Sequence, residues 1–282
     1  MKIIDMHCDT LLECYLKGYG LRKNSGHIDL ESMKSAGALA QIFAIYIPWK
    51  KEAEEHGIIL SPYELFLEIY ELYQRELRAN SGMIGSALSY DDVLEKERAN
   101  KMSAILSIED GQLLEGKMER LKELYDKGVR LMTLLWNHEN CIGFPNSSDA
   151  KLHQKGLKPF VASHSCARTL CDHQRNLTDD QLKCIANAGG VVGVNFYSIF
   201  LCSDSDYTSV DDIMKHIDYM MNIMGKDSIA LGSDFDGIDC RLEMDGYGQY
   251  SKLIARLENQ YSDDVVEKIC YQNVLRVMRE CL

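Results

Sequence analysis

A histidine and an aspartate lie two positions apart near the beginning of the chain, in the segment IDMHCDT. On a β-strand, side chains two positions apart project to the same face, so His7 and Asp9 could bind one metal ion together. Cys8 lies between them and would face away from both, which makes it a weak ligand candidate. The H-x-D pattern is a moderately specific indication of a metal site. Taken alone, it fits a half-buried histidine beside an incidental aspartate equally well.

A glutamate ends a run of apolar and small residues in the segment SAILSIEDG. An unpaired carboxylate at that place would be costly to bury, so Glu109 is expected to lie beside a cation. A glutamate can also bridge two ions about 3.5–4 Å apart, as in two-metal hydrolases. Asp110 would alternate to the other face and is the weaker candidate, and a helix N-cap is the alternative role for either acid.

A further histidine, His164, lies at the end of the β-rich segment KPFVASHSCAR, where a neutral imidazole nitrogen would suit zinc. Taken alone, it would more often be a hydrogen-bonded histidine of the core. Arg168 and Arg175 bring positive charge to the same region, with His173 beside Arg175. His138 could contact a substrate or lie in a surface loop. The remaining histidines are expected to be solvated: His27, His56, His153 and His216.

Two aspartates alternate around a phenylalanine in the segment ALGSDFDG. Either Asp234 or Asp236 could form the turn before Gly237, but Asp234 follows the predicted strand most directly. A carboxylate at that position can hold a metal-bound water and accept its proton, so Asp234 is the candidate catalytic residue.

Seven β-rich segments alternate with helical patterns, which predicts an α/β protein with a parallel sheet. The segments are KIIDMH, ALAQIFAIYI, SAILSIED, VRLMTLLW, KPFVASHS, GGVVGVNFY and SIALGSDFD. Six of them end in a metal-competent or hydrogen-bonding group. A TIM (β/α)8 barrel uses that rim as its active site, whereas an open doubly wound sheet would gather ligands only near a switch point. The spread of candidates over nearly every strand therefore favours a barrel.

Capping residues predict two helices that would cover the sheet. The segment SPYELFLEIYELYQRELRAN places Ser61 at an N-cap before Pro62. The segment LTDDQLKCIANAGG places Thr178 at an N-cap with Gln181 three residues later, and it ends in glycines.

Length and charge limit the classes of protein. With 282 residues and 46% hydrophobic residues, the chain can bury one large core, so a single domain over residues 1–282 is expected. The formal net charge of -12 disfavours nucleic acid or an anionic membrane as a partner. Small neutral or zwitterionic substrates fit this charge better.

Neither a signal peptide nor a membrane span is predicted from the sequence. The ten cysteines are scattered at irregular spacing without a CxxC pair. Reduced thiols are therefore expected, and the prediction is a soluble, cytoplasmic protein.

Seven sequence blocks together resemble the membrane dipeptidase (renal dipeptidase) family of zinc peptidases, within the amidohydrolase-like superfamily of TIM barrels. The blocks stand in the family's order and run nearly end to end: IDMHCDTL, SIEDG, LYDKGVRLMTLLWN, SHSCARTLCDHQRNLTDDQL, GGVVGVNFY, GSDFDG and NVLRV. None is decisive singly, whereas the set is highly specific.

The resemblance implies a binuclear zinc site. His7 and Asp9 would bind one Zn²⁺, Glu109 would bridge both ions, and His164 would bind the second. A water bridging the ions would attack the peptide bond of a dipeptide, with a D-residue at the C-terminal position as one possibility.

The same resemblance assigns the substrate contacts. Arg175 would bind the terminal carboxylate of the dipeptide through its bidentate guanidinium, and Asp234 would pass the proton to the leaving amine. Family members are often dimers, so a homodimer is a further expectation.

The chain departs from this family between the fourth and fifth predicted strands, where one βα unit with its histidine ligand is absent. Leu157 directly precedes Lys158 at that point. Either residues are missing from the sequence, or the chain is truly shortened and one of the two ions is weakly held or absent. The closure geometry of a barrel favours the first explanation. Trp136 also stands where some relatives use a histidine.

Two other functions fit the same residues. A different metal-dependent amidohydrolase, such as a lactonase or a deaminase, would use the same water chemistry on another electrophile. A metal-poor, non-catalytic descendant of the enzyme would explain the missing histidine. Loss of Arg175 would distinguish a dipeptidase from the first alternative, and metal content would distinguish it from the second.

Overall fold

Parallel strands alternate with helices along the part of the chain that the computed structural model describes, residues 1–142 and 161–282. In chain order the elements are β1 (Ile3–Asp5), α1 (Thr10–Lys17), α2 (Leu30–Ala36), β2 (Ala38–Tyr46), α3 (Lys50–Glu55), α4 (Pro62–Ala79), β3 (Ile84–Ser86), α5 (Tyr90–Arg98), β4 (Met102–Glu109), α6 (Glu119–Asp126), β5 (Val129–Thr133), β6 (Ala162–Ser165), α7 (Asp179–Asn187), β7 (Val192–Val194), α8 (Ser198–Leu201), β8 (Tyr207–Thr208), α9 (Val210–Met224), β9 (Ile229–Leu231), β10 (Arg241–Leu242), α10 (Tyr250–Gln260), α11 (Asp263–Glu267) and α12 (Asn273–Cys281). The alternation confirms the predicted α/β class.

The main sheet has the strand order β3-β4-β2-β1-β9-β7-β6, and β5 also pairs with β4. All of its strand pairs are parallel. Because β2 takes one edge of β4, the strands β3 and β5 share the other edge, each along half of its length. β1 pairs with both β2 and β9, so the first strand of the chain lies beside the last strand of the main sheet.

All seven predicted strands are present, as β1, β2, β4, β5, β6, β7 and β9. The short strand β3 was not predicted. Within the two described ranges, β5 and β6 form no pair with each other. The junction of Leu157 and Lys158, where a βα unit is predicted to be missing, lies outside the described residues.

Two glycines allow three strands to approach closely beneath the rim. A Cβ on Gly193 would lie 2.1 Å from the carbonyl oxygen of Ser163, and a Cβ on Gly232 would lie 1.9 Å from the same atom. Any larger residue would therefore force β6 away from β7 and β9. The close approach carries the histidine after Ser163 towards the loop that follows β9.

The predicted helix caps are confirmed. Ser61 and Glu64 form a capping box at the beginning of α4, and Thr178 and Gln181 form one at the beginning of α7. The expectation that His216 is solvated is wrong. It is buried in α9, where its Nδ1 accepts from the backbone of Ala167 at 3.2 Å. The apolar face of α9 carries this histidine into the core.

Among the helices of residues 1–142 and 161–282, none combines the length and the hydropathy that crossing a bilayer requires.

Candidate metal centre

Five side chains predicted from the sequence converge at the carboxyl ends of four strands. His7 and Asp9 follow β1, Glu109 ends β4, His164 lies in β6, and Asp234 follows β9. The Nε2 atom of His7 lies 3.0 Å from Oε2 of Glu109, 3.6 Å from Oδ2 of Asp9 and 3.7 Å from Oδ1 of Asp234. The Nε2 atom of His164 lies 3.4 Å from Oε1 of Glu109. Residues distant in sequence thus form one cluster.

Among the residues that the structure describes, three buried polar atoms of this cluster have no hydrogen-bond partner: Nε2 of His7, Oδ1 of Asp9 and Oε1 of Glu109. Leaving such atoms unsatisfied is unfavourable, so the cluster suits a bound cation. Zinc bonds to nitrogen and oxygen are about 2.0–2.2 Å long, which places the ligand atoms of a tetrahedral ion roughly 3.3 Å apart. The separations from His7 Nε2 lie close to that value. The residues therefore fit a divalent metal ion.

The electrostatics of the side chains alone lead to the same conclusion. Burial disfavours charge on His7, but the carboxylates of Glu109 and Asp9 outweigh it and raise the pKa of His7 well above its ordinary value. Burial and the negative charge of Glu109 raise the pKa of Asp9 to about 7. Burial also opposes charge on Glu109, yet the two imidazoles hold its pKa well below the ordinary value. The clustered acids need positive charge beside them.

The turn after β9 brings backbone against the carboxylates. Asp234 and Asp236 have φ angles of 65° and 67°, in the left-handed region that non-glycine residues rarely adopt. A Cβ on Gly237 would lie 2.0 Å from Oδ2 of Asp9 and 2.8 Å from Oδ1 of Asp234. The glycine is thus required for the close approach of this turn to the cluster.

Of the two aspartates in the turn, only Asp234 belongs to the cluster. Its Oδ2 accepts a hydrogen bond from Nδ2 of Asn195 at 2.9 Å, while its Oδ1 faces His7. Asp236 instead accepts from the hydroxyl of Thr10 and from the backbone of His27. Asp236 is therefore the turn-forming acid.

Asp110 supports the loop after β5 rather than binding at the cluster. Its carboxylate accepts from the backbone of Gln112 at 2.8 Å and of Trp136 at 3.3 Å, and from the side chain of Asn140. It caps the 3₁₀ turn Gly111–Leu114, which is the N-cap role considered for it. Cys8 is also excluded, because its sulfur donates to the backbone carbonyl oxygen of Ile42 in β2 at 3.8 Å and it belongs to neither group of candidate metal ligands.

A cleft of about 380 Å³ opens over the cluster, and Arg175 lies in its wall. Its Nη1 donates to Oδ1 of Asn137 at 3.0 Å, and its Nη2 lies 3.1 Å from Nε2 of His164. The guanidinium carbon also lies 5.8 Å from the ring centres of Trp136 and Phe200. A fixed guanidinium of this kind can bind a carboxylate in the cleft.

The other sequence candidates contribute less directly. Arg168 donates to the backbone carbonyls of His173 and Gln174 and so shapes the loop before Arg175. The Nδ1 atom of His173 accepts from the backbone of Arg175 at 3.2 Å. His138 stacks on Trp49 with ring centres 4.4 Å apart and is not part of the cleft wall.

Sequence reasoning missed Asp5, which supports the cluster from below. Its fully buried carboxylate accepts from the backbone and the hydroxyl of Ser233, from the hydroxyl of Tyr250 at 2.8 Å and from the backbone of His7 at 3.2 Å. β1 and β9 are paired in register only at Asp5 and Leu231. The carboxylate therefore holds together the two strand ends that carry His7 and Asp234. The one indication in the sequence was the position of this acid within the largely apolar segment KIIDM, where a carboxylate needs hydrogen-bond donors.

The variant Asp5→Asn should lower the free energy of unfolding of the metal-free protein by about 2–4 kcal/mol, because the amide keeps one acceptor but turns a donor towards other donors. Tyr250→Phe removes a single bond of the same network and should cost roughly 1.5 kcal/mol. Urea denaturation measures both values. If Asp5→Asn lowered the free energy of unfolding by less than Tyr250→Phe does, the supporting role of Asp5 would be contradicted.

Comparisons with known proteins agree with this geometry. The sequence profile of the family described as "Membrane dipeptidase (Peptidase family M19)" matches residues 1–158 and 151–281. An uncharacterized protein in the pqqA 5' region of Klebsiella pneumoniae is 33% identical over 263 residues, covering 77% of this chain and 96% of that protein. The dipeptidase tcpJ of Claviceps purpurea (strain 20.1) is 25% identical over 299 residues, covering 91% of this chain and 69% of that protein.

Solved structures establish the fold. A metallopeptidase from Rhodobacter sphaeroides, liganded with a phosphinate mimic of the dipeptide L-Ala-D-Ala, superposes with a TM-score of 0.87 at 21% identity, covering 100% of this chain and 99% of that chain. The probable dipeptidase PvdM from Pseudomonas aeruginosa superposes with a TM-score of 0.84 at 16% identity, covering 100% of this chain and 95% of that chain. The chain therefore has the TIM barrel fold of these proteins.

The comparisons also bear on the break in the family pattern. The two matched segments meet at residues 151–158, around the junction of Leu157 and Lys158. The stretch of 299 residues aligned with the Claviceps dipeptidase is longer than the 282 residues of this chain. That relative therefore carries positions that have no counterpart here.

Proposed function

Because the chain belongs to the membrane dipeptidase family, peptidase family M19, we propose that it hydrolyses the peptide bond of dipeptides with a zinc ion held by His7, Asp9 and Glu109. The observation that carries this proposal is the set of three buried atoms without partners on those residues. Carboxylate oxygens of Asp9 and Glu109 lie 3.6 Å and 3.0 Å from Nε2 of His7, separations that suit one divalent ion, and imidazole with carboxylate oxygens is a ligand set that zinc accepts.

An ion bound there would polarise the scissile carbonyl and lower the pKa of a water molecule at the centre. Asp234 accepts the proton of the attacking water and passes it to the leaving amine. The hydrogen bond from Asn195 holds one oxygen of Asp234, which leaves the other directed at the centre. Burial of the cluster keeps competing water away from the reacting groups.

Arg175 binds the terminal carboxylate of the substrate. The cleft of about 380 Å³ lies at the small end of the range for small-molecule sites, which suits a dipeptide and rejects long peptides. The metallopeptidase from Rhodobacter sphaeroides binds a mimic of L-Ala-D-Ala, and this supports a D-residue at the C-terminal position. A lactonase or deaminase would have no corresponding use for a fixed guanidinium.

The variant Arg175→Met should raise KM for a dipeptide such as Ala-D-Ala by roughly 10–100-fold, because charged hydrogen bonds to the carboxylate are lost. A lactone substrate should be nearly unaffected. Steady-state kinetics on both substrates measures the difference, with Arg279→Met on the exposed side of α12 as the matched control. An unchanged KM for the dipeptide would refute the assignment of Arg175.

We also propose that residues 1–282 form one domain, because β1 is bonded on either side to strands from opposite ends of the chain. A cytoplasmic location is supported by the cysteines, all ten of which are free. A homodimer remains a proposal that rests on the family resemblance.

A further inference from the structure

We propose that the centre holds one tightly bound metal ion rather than two, and that the guanidinium of Arg175 occupies the side of His164 where a second ion would bind. The family resemblance implies two ions, so this chain would differ from that pattern. The inference rests on the proposed function only in treating the cluster as a metal site.

The candidate metal ligands fall into two groups that have one residue in common. Two groups have ligand atoms within 4.8 Å of one another: His7 with Asp9 and Glu109, and His7 with His164 and Asp234. His7 belongs to both groups. Its Nε2 atom is the one that all three carboxylates approach, at 3.0 to 3.7 Å.

A ring nitrogen has one lone pair and binds one ion. The two groups are therefore alternative ligand sets around one position and do not describe two sites. The set that contains Asp9 and Glu109 is favoured, because Nε2 of His7 and Oδ1 of Asp9 are buried without a partner among the described residues, and Oε2 of Glu109 lies 3.0 Å from that Nε2.

The described residues offer few donor atoms for a second ion. Once His7 Nε2 is used, the nearest pair of donors is His164 Nε2 and Glu109 Oε1, which are 3.4 Å apart. In the part of the chain that the structure describes, no candidate group of three includes both of them. Catalytic zinc sites ordinarily have three protein ligands. Among the described residues, the second position is thus short of ligands.

Arg175 lies against the ring nitrogen of His164 that a second ion would need. Its Nη2 lies 3.1 Å from His164 Nε2, at hydrogen-bond distance, so the ring nitrogen that would bind a second ion accepts from Arg175 instead. Asn137 fixes the other arm of the guanidinium at 3.0 Å. A guanidinium is always charged and would repel a metal ion placed against it. Within residues 1–142 and 161–282 these two contacts use two of its five N–H donors, and the others can face the carboxylate of a substrate.

Metal stoichiometry tests this inference directly. The full chain is stripped with a chelator, loaded with excess Zn²⁺, desalted and analysed for metal per chain, and the stripped protein is titrated with Zn²⁺ by calorimetry. One ion per chain is expected. His7→Ala should weaken Zn²⁺ binding by more than about 100-fold, since even indirect support of a ligand is worth 10–100-fold.

The variant His164→Ala separates the two possibilities. It should still bind one ion, with a dissociation constant within about tenfold of the wild-type value, the low end of the range for groups that only support a ligand. His164→Gln replaces it if circular dichroism shows that the alanine variant is unfolded. Two ions in the wild type that fall to one in this variant would overturn the inference.

Hydrolysis of a dipeptide panel is measured on the same samples. One ion per chain without hydrolysis would keep this inference and refute the proposed function. Two ions per chain with hydrolysis would refute this inference and keep the proposed function.

Discussion

Replacement of Glu109 by glutamine is expected to lower kcat/KM for a dipeptide by about 1,000-fold or more. Glu109 has one carboxylate oxygen 3.0 Å from His7 and the other 3.4 Å from His164, so it is the acid that links the two imidazoles. A bound ion contributes several kcal/mol to the transition state, and about 4 kcal/mol corresponds to a factor of 1,000. Glutamine keeps the size of the side chain but removes the charge that would hold the ion.

The measurement combines steady-state kinetics with zinc content per chain. Glu258→Gln, at an exposed position of α10, serves as the control and should behave as the wild type. If Glu109→Gln kept a tenth or more of wild-type activity with a full complement of zinc, the placement of the metal at Glu109 would be wrong.

The variant Asp234→Asn is expected to lower kcat by about 100- to 10,000-fold, the range for loss of a general acid–base group. Because the role proposed for Asp234 is proton transfer, and Asn195 holds its carboxylate, KM and zinc content should change little. The amide keeps the shape of the side chain but cannot accept the proton from water.

Kinetics at saturating and limiting dipeptide separates kcat from KM in this variant. Asp239→Asn tests an exposed aspartate of the same loop and should leave both constants unchanged. A rise in KM with kcat preserved would mean that Asp234 binds the substrate and does not transfer the proton.

The cluster could be predicted largely because strand geometry is local. Alternation in the segment directly after β1 directs His7 and Asp9 to the cluster and Cys8 towards Ile42 of β2, in agreement with the distances. The burial of every residue in β4 likewise follows from its apolar run, which made Glu109 conspicuous.

Other features depend on contacts between distant segments and could not be predicted in this way. The supporting role of Asp5 depends on hydrogen bonds from Ser233 and Tyr250, which lie more than 220 residues away in the sequence. The short strand β3 has three residues with a central glycine, too few to show a periodic pattern. His216 lies on a helix face whose burial depends on the strands beneath it.

Among the features that depend on distant contacts, the position of Arg175 has the largest consequence for the metal centre. The sequence shows an arginine eleven residues after His164. Its contact with the imidazole depends on the conformation of the intervening loop, in which Arg168 donates a hydrogen bond to the backbone of His173. That contact changes the expected metal content of the centre. It could be found only in three dimensions.

The central claim is that a divalent ion is bound between His7, Asp9 and Glu109. Anomalous diffraction at the zinc absorption edge, from crystals of the full chain grown with Zn²⁺, tests it most directly. The account predicts a strong anomalous peak about 2.0–2.2 Å from Nε2 of His7 and from carboxylate oxygens of Asp9 and Glu109. Side chains that point away from one another, with no peak between them, would contradict it.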